Sequence, residues 1–180
     1  VSIGVNVNLH AMELIDAGHG LSFFGKDHLI LWGLDLGIPA LLATLYWGGF
    51  MVGRMTFSFF DSISPRKLLA ATTIIATAQI IVAMITNNLW ILVSVGLCHS
   101  VMWSCIFTLS IKGLKKYTSK ASGVFMMGVF GGAVFPVLQG ACADAVGSWQ
   151  WTWSIALVCE LVMLYYALWG CRIKDAECMD

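Results

Sequence analysis

Residues 89–147, LWILVSVGLCHSVMWSCIFTLSIKGLKKYTSKASGVFMMGVFGGAVFPVLQGACADAVG, decide how this chain folds. An apolar run over 89–111 meets a short basic break, KGLKKYTSKAS, and a second apolar run follows over 122–142. A hydrocarbon core of roughly 30 Å takes about 20 apolar residues per helix, and the backbone polar groups of such a helix must bond within the segment. The stretch therefore reads as two membrane-crossing helices joined by a cationic turn.

The same rhythm extends outward in both directions. Further apolar runs cover about 38–60, 67–86 and 150–170, and the chain opens on a shorter one, VSIGVNVNLHAMELI (1–15). That opening is read as the second part of a helix whose start is missing. Residues 16–37 are mixed and predict a loop, with LILWGL (29–34) as a short apolar turn resting at the interface before Asp35. Pro39 suits the first turn of the 38–60 helix, where its missing N–H costs nothing. Asn87 and Asn88 predict a tight turn. The expected division is a transmembrane bundle over 1–171 and a polar tail over 172–180.

Composition supports a lipid environment. Hydrophobic residues make up 59% of the chain and charged residues 11%, against about 25% charged in an ordinary soluble domain. Mean hydropathy is +0.84. A soluble domain of 180 residues has too little interior to hide that much apolar surface. Zero formal net charge gives no bulk attraction to nucleic acid. Cys98, Cys105, Cys142 and Cys159 sit inside apolar runs and none forms a CxxC pair, so they are expected to be small packing residues and not metal ligands. The sequence shows no zinc-protease, nucleophile-elbow, P-loop or dinucleotide-binding pattern, which predicts a protein that is not an enzyme and needs no cofactor or metal.

Charge then orients the runs. Arg54, Arg66 and Lys67 flank one break, Lys112, Lys115, Lys116 and Lys120 fill another, and Arg172 and Lys174 open the tail. These hold nine of the ten basic residues, and only Lys26 lies in an opposite loop. The positive-inside rule puts the three basic places and the C-terminus in the cytoplasm. Arg54 is expected to pair with Asp61 or a helix end, snorkelling to the interface.

Polar and small residues inside the runs are the candidates for function. Gly49-x-x-x-Gly53 and Gly128-x-x-x-Gly132 let helix backbones approach closely in lipid. Each face packs within the chain or slides against a partner bundle. Pro136 is expected to bend its helix. Glu160 is mid-span, and a carboxyl there is either a protonatable group facing a cavity or a hydrogen-bonded acid at a helix contact; the second is favoured. Asn6, Asn8, Tyr46, Trp47, His99, Trp103 and Gln139 lie at membrane depth. Amides suit a sugar's hydroxyls and aromatic planes suit its C–H face, so together they form a candidate substrate cavity.

Several motifs resemble one family. YWGGFMVGRM (46–55), SISPRKLLA (62–70) and residues 98–147 are similar to the C-terminal half of the fucose:proton symporter family, within the major facilitator superfamily. The most specific parts are IKGL-x-KYT-x-x-x-SG (111–123) and GGA-x-x-P-x-x-QG-x-x-AD (131–144). The resemblance implies an all-α membrane protein: the C-terminal six-helix bundle of a major facilitator superfamily fold, its first helix truncated. It implies alternating-access transport of a monosaccharide of the fucose, glucose or galactose type, coupled to protons, in a bacterial inner membrane. The lipid bilayer and the N-terminal bundle of the same protein are then the chain's partners, and this half alone does not transport. The family's proton-carrying carboxylates lie in the N-terminal bundle. Where relatives carry Asn-Ser-x-Met-x-Pro, this chain has His99, Ser100, Met102 and Ser104, which puts the particular sugar in doubt. The alternatives are a transporter of the same superfamily for another small solute, or a membrane interaction module that transports nothing.

The loop charges predict opposite labelling. In sealed vesicles a membrane-impermeant amine reagent should reach Lys26 from one face and Lys116 from the other, and reaction of both from one face would overturn the orientation.

Overall fold

A computed structural model describes residues 2–18, 21, 28–31, 34–57, 59 and 63–170. Asp61, Lys26 and the expected tail lie outside the described residues. The chain begins with helix α1 (Ser2–Asp16), followed by strands β1 (His28–Leu31) and β2 (Leu34–Gly37). Helices α2 (Ile38–Phe57), α3 (Pro65–Thr86) and α4 (Leu89–Ile111) come next. A 3₁₀ turn at Lys115–Tyr117 leads into α5 (Thr118–Met127), and another at Gly128–Phe130 leads into α6 (Gly131–Val146). Gln150–Thr152 forms a third 3₁₀ turn before α7 (Trp153–Tyr165), which ends in a π-helical turn, Tyr166–Gly170.

Four helical stretches are long and apolar enough to cross a membrane: Pro65–Thr86, Leu89–Ile111, Thr118–Val146 and Gln150–Gly170. Their outward faces carry many exposed apolar side chains, such as Ile74, Ile75, Ile81, Val82 and Ile85 on α3. In water such a surface would be an aggregation liability, whereas in lipid it is the natural boundary. The chain is a multi-pass helical membrane protein.

Local chemistry sets the helix ends. Pro65 opens α3, and Asn87, with φ of 52°, closes it in the left-handed conformation that Asn tolerates. The Asn88 side chain then accepts the Trp90 N–H at 3.0 Å and caps α4. Arg66 serves the far end of α7. Its guanidinium donates to the carbonyls of Ala167 (3.1 Å) and Leu168 (2.6 Å), within the π turn. Arg54 donates to the Ser100 carbonyl at 3.3 Å and lies 4.9 Å from the Phe50 ring centroid. Lys67 is exposed.

Two elements differ from the sequence expectation. The LILWGL turn falls in an antiparallel hairpin, in which Leu29 faces Leu36 and Leu31 faces Leu34. Pairing satisfies backbone N–H and C=O groups of both segments. The span expected at 122–142 is also divided, with the break at Gly128–Phe130. Gly128 and Gly131 bring a high entropic cost to a helix, and Pro136 denies its N–H to the ladder further on.

The core has two clusters. The larger joins α1, α2, α3, α4 and Trp153, and the smaller joins Leu69, Val101, Met102, Cys105, Leu109 and Ala167. The closest crossing is α2 on α4. A Cβ on Gly96 would come within 2.6 Å of the Tyr46 carbonyl oxygen, and one on Gly53 within 2.9 Å of the Leu97 carbonyl oxygen. The Gly49/Gly53 face is therefore packed inside this chain. Gly128 has open space around it.

The two glycine faces should respond differently to bulk. Gly53→Leu overpacks the α2–α4 seam and should cost about 1–3 kcal/mol, lowering the melting temperature in detergent. Gly128→Leu should leave it unchanged or raised. Equal melting temperatures for the two variants would contradict this seam.

Candidate functional site

The α2–α4 crossing fixes where the polar side chains go. Tyr46 is fully buried, and its hydroxyl lies 2.8 Å from His99 Nδ1 on α4. The other ring nitrogen, Nε2, lies 2.6 Å from Glu160 Oε1 on α7. Three helices are thus joined through one imidazole. Glu160 is only 7% exposed, and its second oxygen, Oε2, has no hydrogen-bond partner among the described residues. An unpaired carboxyl oxygen at this depth is costly unless water or a ligand completes it.

Glu160 belongs to the wall of a cavity of about 380 Å³, although Oε2 itself is buried. His99, Trp103, Gly128, Gly132, Phe135 and Cys159 share that wall. One turn separates His99 and Trp103 on α4, so both face the same side. Trp103 also leans on Phe125 with centroids 4.9 Å apart. Glycines at 128, 131 and 132 keep the opposite wall low. The volume falls in the range of small-molecule sites, and the lining combines an aromatic face with one polar anchor.

The remaining sequence candidates have other partners. Asn6 Nδ2 donates to the Pro136 carbonyl (3.0 Å) and to Gln139 Oε1 (3.2 Å). Gln139 Nε2 donates onward to Thr152 Oγ1 at 3.3 Å. Asn6 and Gln139 therefore spend their amides tying α1 to α6 and to the turn before α7. Asn8 Oδ1 accepts the Leu9 N–H at 2.9 Å and is not part of the cavity wall. Trp47 is 44% exposed and packs edge-on to Tyr46, outside the cavity. Of the seven candidates, His99 and Trp103 line the cavity, Tyr46 reaches it through His99, and Glu160 joins them. A carboxyl in mid-span signals that a partner must exist, but the sequence does not say that the partner is a histidine on another helix.

Two further contacts lock the far end of the bundle. Trp153 Nε1 donates to His10 Nδ1 at 3.0 Å, and the Trp149 N–H donates to Glu13 Oε2 at 3.0 Å. A second cavity, of about 400 Å³, opens beside Arg54, Ser104 and Thr108. No buried unpaired polar group belongs to its wall, which makes the cavity at Glu160 the stronger site. Among the described residues no cluster of His, Cys, Asp or Glu is arranged to hold a metal ion.

The amide chain gives a stability prediction. Gln139→Ala breaks the buried link between Asn6 and Thr152 and should cost about 1–3 kcal/mol, whereas Asn8→Ala should change stability by less than about 0.5 kcal/mol. Thermal unfolding of both variants in detergent checks this, and a Gln139→Ala variant as stable as the parent would refute the network.

No family model matches the chain. Its sequence is 33% identical over 175 residues to a glucose/galactose transporter of Brucella abortus biovar 1 (strain 9-941), covering 95% of this chain and 42% of that protein. It is 29% identical over 139 residues to the L-fucose-proton symporter of Escherichia coli (strain K12), covering 75% of this chain and 32% of that one. The fold matches the crystal structure of the major facilitator superfamily transporter FucP in its outward conformation, with a TM-score of 0.75 at 23% identity. That match takes in 93% of this chain and 37% of the other, in its C-terminal half. The chain thus spans less than half the length of the relatives it matches.

Proposed function

The chain is a relative of the sugar transporters of the fucose:proton symporter family and has the fold of a C-terminal major facilitator superfamily bundle; from this we propose that it is half of a transporter that moves a monosaccharide together with protons. The observation that carries the proposal is a sequence likeness to a glucose/galactose transporter running over 95% of the chain. The cavity adds to it. Trp103 offers a flat face to the C–H side of a pyranose, and Glu160 Oε2 offers a hydrogen-bonding atom.

On this proposal residues 1–171 pair with an N-terminal bundle of the same protein, and 172–180 form a cytoplasmic tail. The exposed Gly128 face meets that bundle, where a small residue permits sliding contact. The substrate sits near the midplane between the halves, and rocking about it gives alternating access. The protein lies in the cytoplasmic membrane with its basic loops inside. Its partners are a sugar of the glucose, galactose or fucose type, protons and lipid. Binding and conformational change do the work, with no bond of the substrate broken.

Uptake by cells expressing the full-length gene product tests this proposal. Radiolabelled galactose, glucose or fucose should accumulate under an inward proton gradient, and a protonophore should abolish the accumulation. Trp103→Ala should raise the half-saturation concentration about tenfold, as expected for loss of about 1.4 kcal/mol of stacking. A correctly inserted protein that moves none of these sugars would defeat the proposal.

A further inference from the structure

We infer that Tyr46, His99 and Glu160 form a one-proton site in the cavity wall, so that this half of the fold binds a proton of its own. The inference rests on the proton-coupled reading above, and it adds a site where the resemblance implies carboxylates only in the N-terminal bundle. It starts from the hydrogen count. Tyr46 Oη, His99 Nδ1, His99 Nε2 and Glu160 Oε1 are linked by bonds of 2.8 and 2.6 Å. A neutral imidazole carries one hydrogen. If Tyr46 donates to Nδ1, that hydrogen is on Nε2 and is donated to the Glu160 carboxylate. The group then carries one negative charge, and Oε2 can only accept.

Among the described residues no cationic side chain is placed to balance that charge. α2 contributes Tyr46, α4 contributes His99 and Cys98, and α7 contributes Glu160 and Cys159. Cys98 faces Gln79 of α3 at 3.7 Å. The lining residues from α1, from the Gly128–Phe130 turn and from α6 (Ile3, Gly128, Val129, Gly131, Gly132 and Phe135) have no titratable side chain. Arg54 is held by the Ser100 carbonyl and faces the second cavity. Arg66 is held by the turn after α7, and His10 is held by Trp153. A lone carboxylate in hydrocarbon is expensive, and one proton taken from cavity water makes the group neutral.

That proton has two places to go. On His99 Nδ1 it makes an imidazolium that donates to both Tyr46 Oη and Glu160 Oε1. On Glu160 Oε2 it makes a neutral carboxylic acid on a residue that lines the cavity. The second place links proton binding to cavity occupancy, because a hydroxyl oxygen there accepts from the protonated form. Linkage is reciprocal: what favours the protonated site is in turn bound better by it.

Two arms test the site. In the first, the chain is placed in lipid nanodiscs and titrated by infrared difference spectroscopy. On acidification the parent should show a carboxylic C=O band or, for the imidazolium form, a histidine ring band; Glu160→Gln should remove it, and His99→Gln and Tyr46→Phe should alter it. In the second, the full-length transporter carries Glu160→Gln. Accumulation against a gradient should be lost, and the sugar counterflow that remains, at whatever rate, should no longer depend on pH; an unchanged melting temperature in detergent shows that the variant is folded. Acid-induced bands all retained in Glu160→Gln, bands unaltered by His99→Gln, or intact accumulation would each overturn the site. If the parent moves no sugar at all, the transport reading fails, and the spectroscopic arm still decides whether the proton site exists.

Discussion

In hydrocarbon, a polar group that its own protein does not satisfy has no water to fall back on. That constraint organises the molecule. The Thr side chains of α3 fold back on their own helix, as Thr72 and Thr73 do on Leu68 and Leu69. The Asn6 amide crosses to α6, Arg66 binds the carbonyls of the π turn, and Gln150 reaches the Met84 carbonyl. The last three join segments that have little hydrophobic reason to associate in lipid, where neighbouring acyl chains are as apolar as leucine.

The site follows from the same constraint through one close approach. Gly96 has no side chain, so the α2 backbone settles against α4 at Tyr46. That seating brings the Tyr46 hydroxyl to His99, and His99 in turn reaches Glu160 on α7. The sequence signal for this chain of contacts is a glycine, which carries no chemistry of its own. Its effect appears at an imidazole three residues further along α4, 2.8 Å from the Tyr46 hydroxyl.

Much of the fold was legible because lipid imposes a simple code. Length and apolarity mark the spans, and Asn87 and Asn88 mark where α3 ends and α4 begins; α3 starts at Pro65, two residues before the expected 67. The break at Gly128–Phe130 was harder to see, since each residue in it is also common inside membrane helices. The hairpin between α1 and α2 was hidden because four-residue strands carry too little periodicity to separate from a turn. The candidate site was legible by residue type and not by pairing. Asn6 and Gln139 have the amides a sugar needs, yet they use them on each other and on Pro136 and Thr152. Tyr46 and Trp47 are adjacent in sequence, but a helix sends neighbours to different faces. Glu160 and His99 lie 61 residues apart, and only the packing of α7 on the bundle brings them together.

The central claim is that lipid, not water, bounds this bundle, and α3 offers the most direct measurement. Ile75 is near the middle of that helix and is 51% exposed. A nitroxide spin label placed there, with the protein in lipid, should collide readily with dissolved oxygen and rarely with a water-soluble nickel chelate. Frequent collision with the chelate and little with oxygen would place that face in water and contradict the account.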